Sequence, residues 1–93
     1  MTIQQHDQTS KGYFFAKEND TEAGRMTYTR AGADKLIIDH TEVNPDFSGR
    51  GVGKKLLLGV VEFARQQQIK ILPLCPFAKS MFQKMPEIRD VLL

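Results

Sequence analysis

A loop with glycine at every second position, Ser48-Gly49-Arg50-Gly51-Val52-Gly53-Lys54-Lys55, joins the strongest strand pattern of this chain to its one long helical pattern. Glycines at these positions strip the loop of side-chain bulk, so a ligand can approach its amides closely. The helix that follows opens with N–H groups that have no intrahelical partner and carry partial positive charge. Two lysines occupy the first turn, where the dipole favours Asp or Glu. A bound phosphate relieves that mismatch. The loop therefore reads as an anion cradle at a helix N-terminus.

The flanking residues place this cradle in a strand–helix–strand unit. Residues 35–43 form the strongest strand, apolar on both faces at its start, and Asn44-Pro45-Asp46 ends it. From Val52 to about Gln68, Val52, Leu56, Val60, Phe63 and Ala64 recur at spacings of three and four, with Leu57 and Val61 widening the stripe. Residues 69–74 are a second apolar run, which the helix reaches by a right-handed crossover, leaving the two strands parallel. The cradle and the end of the second strand, at Cys75, then lie at the same edge of the sheet, where open sheets bind ligands. Upstream, residues 11–17 and 23–30 read as antiparallel strands separated by the Asn19-Asp20 turn signal. Residues 1–10 are a short edge strand or a frayed end. Downstream, a short helix runs from Cys75-Pro76-Phe77 to about Lys84, and residues 87–93 suggest a last short strand.

Ninety-three residues make one domain, 1–93, with one core and room for one cleft. The net charge of +2 is not gathered into a basic run, which argues against a nucleic-acid partner. The single cysteine excludes an intramolecular disulfide, and no metal site is expected. No apolar stretch approaches the roughly 18 residues of a membrane span, and the polar first ten residues lack a signal-peptide core. The expectation is a cytoplasmic protein with no membrane partner.

Spacing excludes the common nucleotide loops. Counted back from Gly53-Lys54, a Walker A loop would need glycine at Ser48 and Ser or Thr at Lys55. The dinucleotide pattern places Lys54 at its third glycine, and the KH pattern has a different glycine spacing. Gly49-Arg50-Gly51-Val52-Gly53 instead resembles the pyrophosphate signature of the GNAT N-acetyltransferase superfamily, Arg/Gln-x-x-Gly-x-Gly/Ala. Ser48 departs from it at the Arg/Gln position. With His40-Thr41-Glu42-Val43 before the loop, Cys75-Pro76-Phe77 after the next strand, and Pro86-Glu87, the whole chain resembles the small single-domain GNAT-like group.

The resemblance implies an α+β (α/β) fold: a mixed, partly splayed sheet, a central helix after the glycine loop and a second short helix. It implies acetyl-CoA or coenzyme A as cofactor, an amine acceptor as partner, and acetyl transfer to that amine. A non-catalytic CoA-binding module is the alternative, and a monomer or weak homodimer is expected. Cofactor contacts fall on Gly49, Arg50, Gly51, Val52, Gly53 and Lys54, on backbone groups at Val43, whose side chain is expected in the core, and on Phe77. Pro73 suits a strand parting from its neighbour. Cys75, at a strand end before a helix, is a candidate acyl acceptor or a packing residue at the thioester. Alternation puts His40 on the Leu36–Ile38 face. There it would serve as a base and approach Cys75 if the thiol shares that face. Glu42 is a second candidate base. Lys79 and Lys55 read as solvated, and His6 as surface.

Overall fold

The computed structural model describes residues 1–93. Five strands, β1 (Thr2–Asp7), β2 (Lys11–Glu18), β3 (Thr21–Arg30), β4 (Lys35–Val43) and β5 (Lys70–Pro73), form one sheet in chain order. The first four pair antiparallel, and β5 joins β4 in parallel through helix α1 (Val52–Gln67). A second helix, α2 (Pro76–Lys84), follows β5. The first ten residues thus hold an ordered edge strand.

Alternation builds the inner face: Phe14 and Ala16, Met26 and Tyr28, Leu36 and Ile38, and Ile71 are all buried. Against them α1 lays Val52, Leu56, Leu57, Val60, Val61 and Ala64. Ala78 and Phe82 of α2 belong to the same cluster of 21 buried residues. The other face of β2 to β4 carries Tyr13, Phe15, Arg25, Thr27 and His40, and no helix covers it. Arg25 lies 3.9 Å above the Tyr13 ring there.

The C-terminal segment differs from the expected strand. Pro86–Val91 is a 3-10 helix, and only Leu92 forms a parallel bridge, to Ile71. The cause is the spacing of the apolar residues. Ile88 and Val91 stand three apart, which is one face of a 3-10 helix, and both are buried. Arg65 of α1 fastens this segment through two bonds of 2.9 Å to the Asp90 carboxylate.

Between β4 and β5 the sheet opens. Pairing stops at Ile38 opposite Pro73, and the amides of Leu74 and Cys75 both turn to the Ile38 carbonyl, at 3.1 and 3.2 Å. The nitrogen of Pro73 faces the outer side of β5, where the Ile71 carbonyl accepts from Leu93, so the proline costs the β4–β5 ladder no bond. From Asp39 to Val43, β4 has no strand partner on that side.

Edge strand β1 is tied down by a polar cluster. The buried Tyr28 hydroxyl donates to Asp7 and accepts from Gln5 at 2.8 Å, while Arg30 binds Asp7 at 2.7 Å. Burial first, and then the bond to Asp7, push the Tyr28 pKa up to about 12. Burial raises the Asp7 pKa, but the bonds from Arg30 and Tyr28 outweigh it and the net shift is downward. A carboxylate with a lowered folded-state pKa stabilises the fold above its unfolded pKa of about 4 and loses that contribution as pH falls through the folded value. The melting-temperature gap between wild type and Asp7→Asn should therefore be constant near neutrality and close below about pH 4. A gap that persists at pH 2 would show that the carboxylate charge is not what holds β1.

Candidate functional site

The glycine loop has the conformation its sequence demands. Gly49 and Gly51 lie at φ of 79° and 72°, in the left-handed region that side chains with a Cβ resist. A Cβ on either would find no atom within 4 Å. The glycines therefore serve the backbone path and leave an open approach on their outer side. Gly51 caps α1 without a side-chain bond, and the first helical bond runs from the Lys55 amide to the Gly51 carbonyl at 3.0 Å. The amides of Val52, Gly53 and Lys54 point out of the helix without a protein acceptor. No acidic residue stands in this turn, and Lys54 and Lys55 are exposed beside it. Oriented donors and cations, in a first turn without acidic residues, suit a phosphate ester or pyrophosphate.

Gly53 has a different role. A Cβ there would lie 2.7 Å from the Phe77 ring, so Gly53 makes room for Phe77 to rest on the first turn of α1. Phe77 is 37% exposed and forms a wall between the cradle and the start of α2. That contact joins two of the sequence-predicted elements directly.

At the other end of the opening stands Cys75, 4% exposed, at the N-cap of α2. Its Sγ lies 3.1 Å from Thr41 Oγ1, a contact in which either atom can donate. Thr41 takes the position that alternation had assigned to His40. The reason is a register shift in the β3–β4 ladder: Tyr28 faces Ile38 and Thr27 faces His40, so Asp39 is an extra residue. One inserted residue reverses the faces beyond it. His40 therefore lies exposed on the uncovered face of the sheet and does not share a face with Cys75. Thr41 was missed as an individual residue, since nothing in the sequence marks the bulge.

Val43 is also corrected. Its side chain is 40% exposed, on the stretch of β4 that β5 leaves uncovered. The Asn44 amide bonds to Ala23 on the β3 side at 2.9 Å, so by alternation the N–H and C=O of Val43 point into the opening.

Arg50 turns from the loop toward the end of β2. It makes two bonds of 2.8 Å with the Glu18 carboxylate, and its guanidinium carbon lies 5.0 Å from the centre of the Phe47 ring. These hydrogen bonds hold the Glu18 carboxyl below its ordinary pKa. Glu18 is a second residue that sequence reading missed.

Around His40 the uncovered face is hollowed. One concavity of about 360 Å³ is lined by Glu22, Arg25, Thr27, His40 and Glu42. An adjoining one of about 460 Å³ includes Tyr13, Thr29 and Asp39. His6 stacks on Tyr13 at 5.1 Å, outside the opening, and Lys79 is exposed on α2. No group of three His, Cys, Asp or Glu side chains converges on a metal geometry, and no helix is long and apolar enough to cross a membrane.

Comparison with known proteins agrees with this arrangement. A family profile described as GCN5-related N-acetyl-transferase matches residues 12–91. The solution structure of a GCN5-like protein from Staphylococcus aureus is 39% identical, with a TM-score of 0.71 over 97% of this chain and 87% of that one. Two further structures share the fold at lower identity. A ribosomal-protein-alanine N-acetyltransferase from Brucella melitensis is 16% identical at a TM-score of 0.72, and this chain covers 62% of its length. An IAA acetyltransferase from Bacillus cereus is 21% identical at 0.65, with 53% of its length covered. No curated protein sequence matched. A profile spanning most of the chain and a close relative of nearly the same length, laid over a glycine-capped helix and a parted strand pair, establish that this chain belongs to the GCN5-related N-acetyltransferase family.

Proposed function

We propose that residues 1–93 act as a single domain that binds acetyl-CoA and transfers its acetyl group to an amine. The observation that carries this reading is a pair of open backbone features on successive elements of the chain. The free edge of β4, from Asp39 to Val43, leads to the unpaired amides of Val52, Gly53 and Lys54. A strand edge pairs with the amides of a pantetheine arm as it would with an added strand. The helix amides and Lys54 hold the pyrophosphate, with Gly49 and Gly51 giving it access. Phe77 covers the arm between them. Acetyl-CoA supplies the activated acetyl group.

Within this reading, N–H groups on the freed edge of β4 face the acyl carbonyl, where negative charge develops during transfer. His40 serves the acceptor from the uncovered face. Its imidazole takes the proton from the incoming ammonium, with Glu42 beside it in the same hollow. The bulge separates the two candidate catalytic groups, so His40 does not activate Cys75. The thiol, held by Thr41 inside the opening, is the group that a covalent route would acetylate.

Acetyl-CoA at a hundred times its dissociation constant should stabilise the fold by about 2.7 kcal/mol, seen as a clear rise in melting temperature. NAD or ATP outperforming it would overturn the cofactor assignment. Labelled acetyl-CoA should leave a thioester on Cys75 in the wild type if the thiol accepts the group. Full amine acetylation by an unlabelled Cys75→Ala protein would establish direct attack.

A further inference from the structure

We propose that Glu18 is a positioning residue, holding Arg50 so that the guanidinium meets a phosphate of the coenzyme bound at the glycine loop. The inference rests on the coenzyme A reading above.

Ser48 offers no long polar side chain at the first position of the glycine signature. Two residues later, Arg50 is fixed at three points. Its amide bonds to the Phe47 carbonyl at 3.3 Å, its guanidinium lies over the Phe47 ring, and Nη1 and Nη2 each bond to one Glu18 oxygen. The side chain is nonetheless 47% exposed, so the guanidinium remains open to solvent. A guanidinium has five N–H donors in a planar fork, and Glu18 engages two. Three donors remain for an oxyanion. A long surface side chain normally loses rotamer freedom when it captures a ligand, and here that ordering precedes binding.

Simple electrostatics gives the opposite sign. A carboxylate near an anionic ligand repels it, so its removal would tighten binding. The hydrogen bonds from Arg50 outweigh desolvation and hold the Glu18 carboxyl below its ordinary pKa, with Lys55 acting in the same direction as Arg50. An exposed ion pair of this kind contributes little to folding. The direction of the affinity change therefore separates the two views, and protein stability does not confuse it.

The experiment is calorimetric titration of coenzyme A and 3′-dephospho-coenzyme A into wild type, Glu18→Gln, Arg50→Gln and the double variant. Arg50→Gln should weaken coenzyme A by about tenfold, the scale of one charge-assisted contact. Glu18→Gln should weaken it about threefold to fivefold, with the melting temperature of the ligand-free protein within about 2 °C of wild type. The double variant should bind no more weakly than Arg50→Gln, because Glu18 acts only through Arg50. Equal losses for both ligands would place the contact at the pyrophosphate. A loss confined to coenzyme A would place it at the 3′-phosphate. Either supports the proposal. Unchanged or tighter binding by Glu18→Gln, or additive losses in the double variant, would overturn it while the coenzyme reading stands. A wild type that does not bind coenzyme A would overturn both.

Discussion

Gly51→Asp should abolish coenzyme A binding, by more than about a hundredfold, while leaving a folded protein. Gly51 sits in the left-handed region, where a residue with a Cβ costs about 1–2 kcal/mol. Aspartate tolerates that region better than alanine does, and its carboxylate at a helix N-terminus returns about 0.3–1 kcal/mol. In the ligand-free protein Gly51→Asp should therefore melt above Gly51→Ala. With the coenzyme present the order reverses. The alanine leaves the amides uncharged and keeps part of the ligand-induced stabilisation, whereas the aspartate puts a negative charge where the pyrophosphate belongs. Nothing lies within 4 Å of the new Cβ, so a lost response cannot be assigned to a crowded loop. A Gly51→Asp protein that coenzyme A stabilises as it does wild type would move the anion site elsewhere.

Gly24→Ala should lower the melting temperature and weaken coenzyme binding together. A Cβ there would stand 2.8 Å from the Glu42 carbonyl oxygen and 2.8 Å from Val52 Cγ1. The carbonyl belongs to the β3–β4 ladder, where Gly24 faces Val43, and it cannot yield without disturbing that pairing. Overpacking of this kind costs about 1–3 kcal/mol. For a domain this small that is a fall of roughly 4–8 °C for each kcal/mol. The damage should extend to function, since Val52 begins α1 and Glu42 and Val43 lie on the parted edge of β4. Differential scanning calorimetry and coenzyme titration should show both losses together. An unchanged melting temperature would mean that β3 and β4 separate easily at this end, and the edge would then be no rigid template for a pantetheine arm.

The bounds of β4 at Lys35–Val43 and the start of α1 at Val52 were legible because each rests on a local signal. Proline ends the strand, and glycine with a new apolar period opens the helix. Pro73 did not signal the parting itself, because its missing N–H lies on the outer edge of β5, a position open to proline. His40 was misplaced because a face assignment by alternation assumes an unbroken ladder, and the extra residue at Asp39 exists only in the pairing with β3. The segment 87–93 was misread because apolar residues three apart suit a 3-10 helix as well as they hint at a short strand. Val43 was expected in the core because its type is apolar, yet it stands on the stretch of β4 that β5 does not cover.

What the sequence determined by itself is the strand–glycine loop–helix–strand unit and the open, left-handed path of its loop. Both follow from backbone preferences that each residue carries wherever it stands. The tertiary structure alone decided which side chains share the opening between β4 and β5. It brought Thr41 rather than His40 to Cys75, set Phe77 on Gly53, and joined Arg50 to Glu18 across 32 residues of chain. Such contacts depend on register and on the meeting of distant segments, and a single bulged residue is enough to exchange one partner for another.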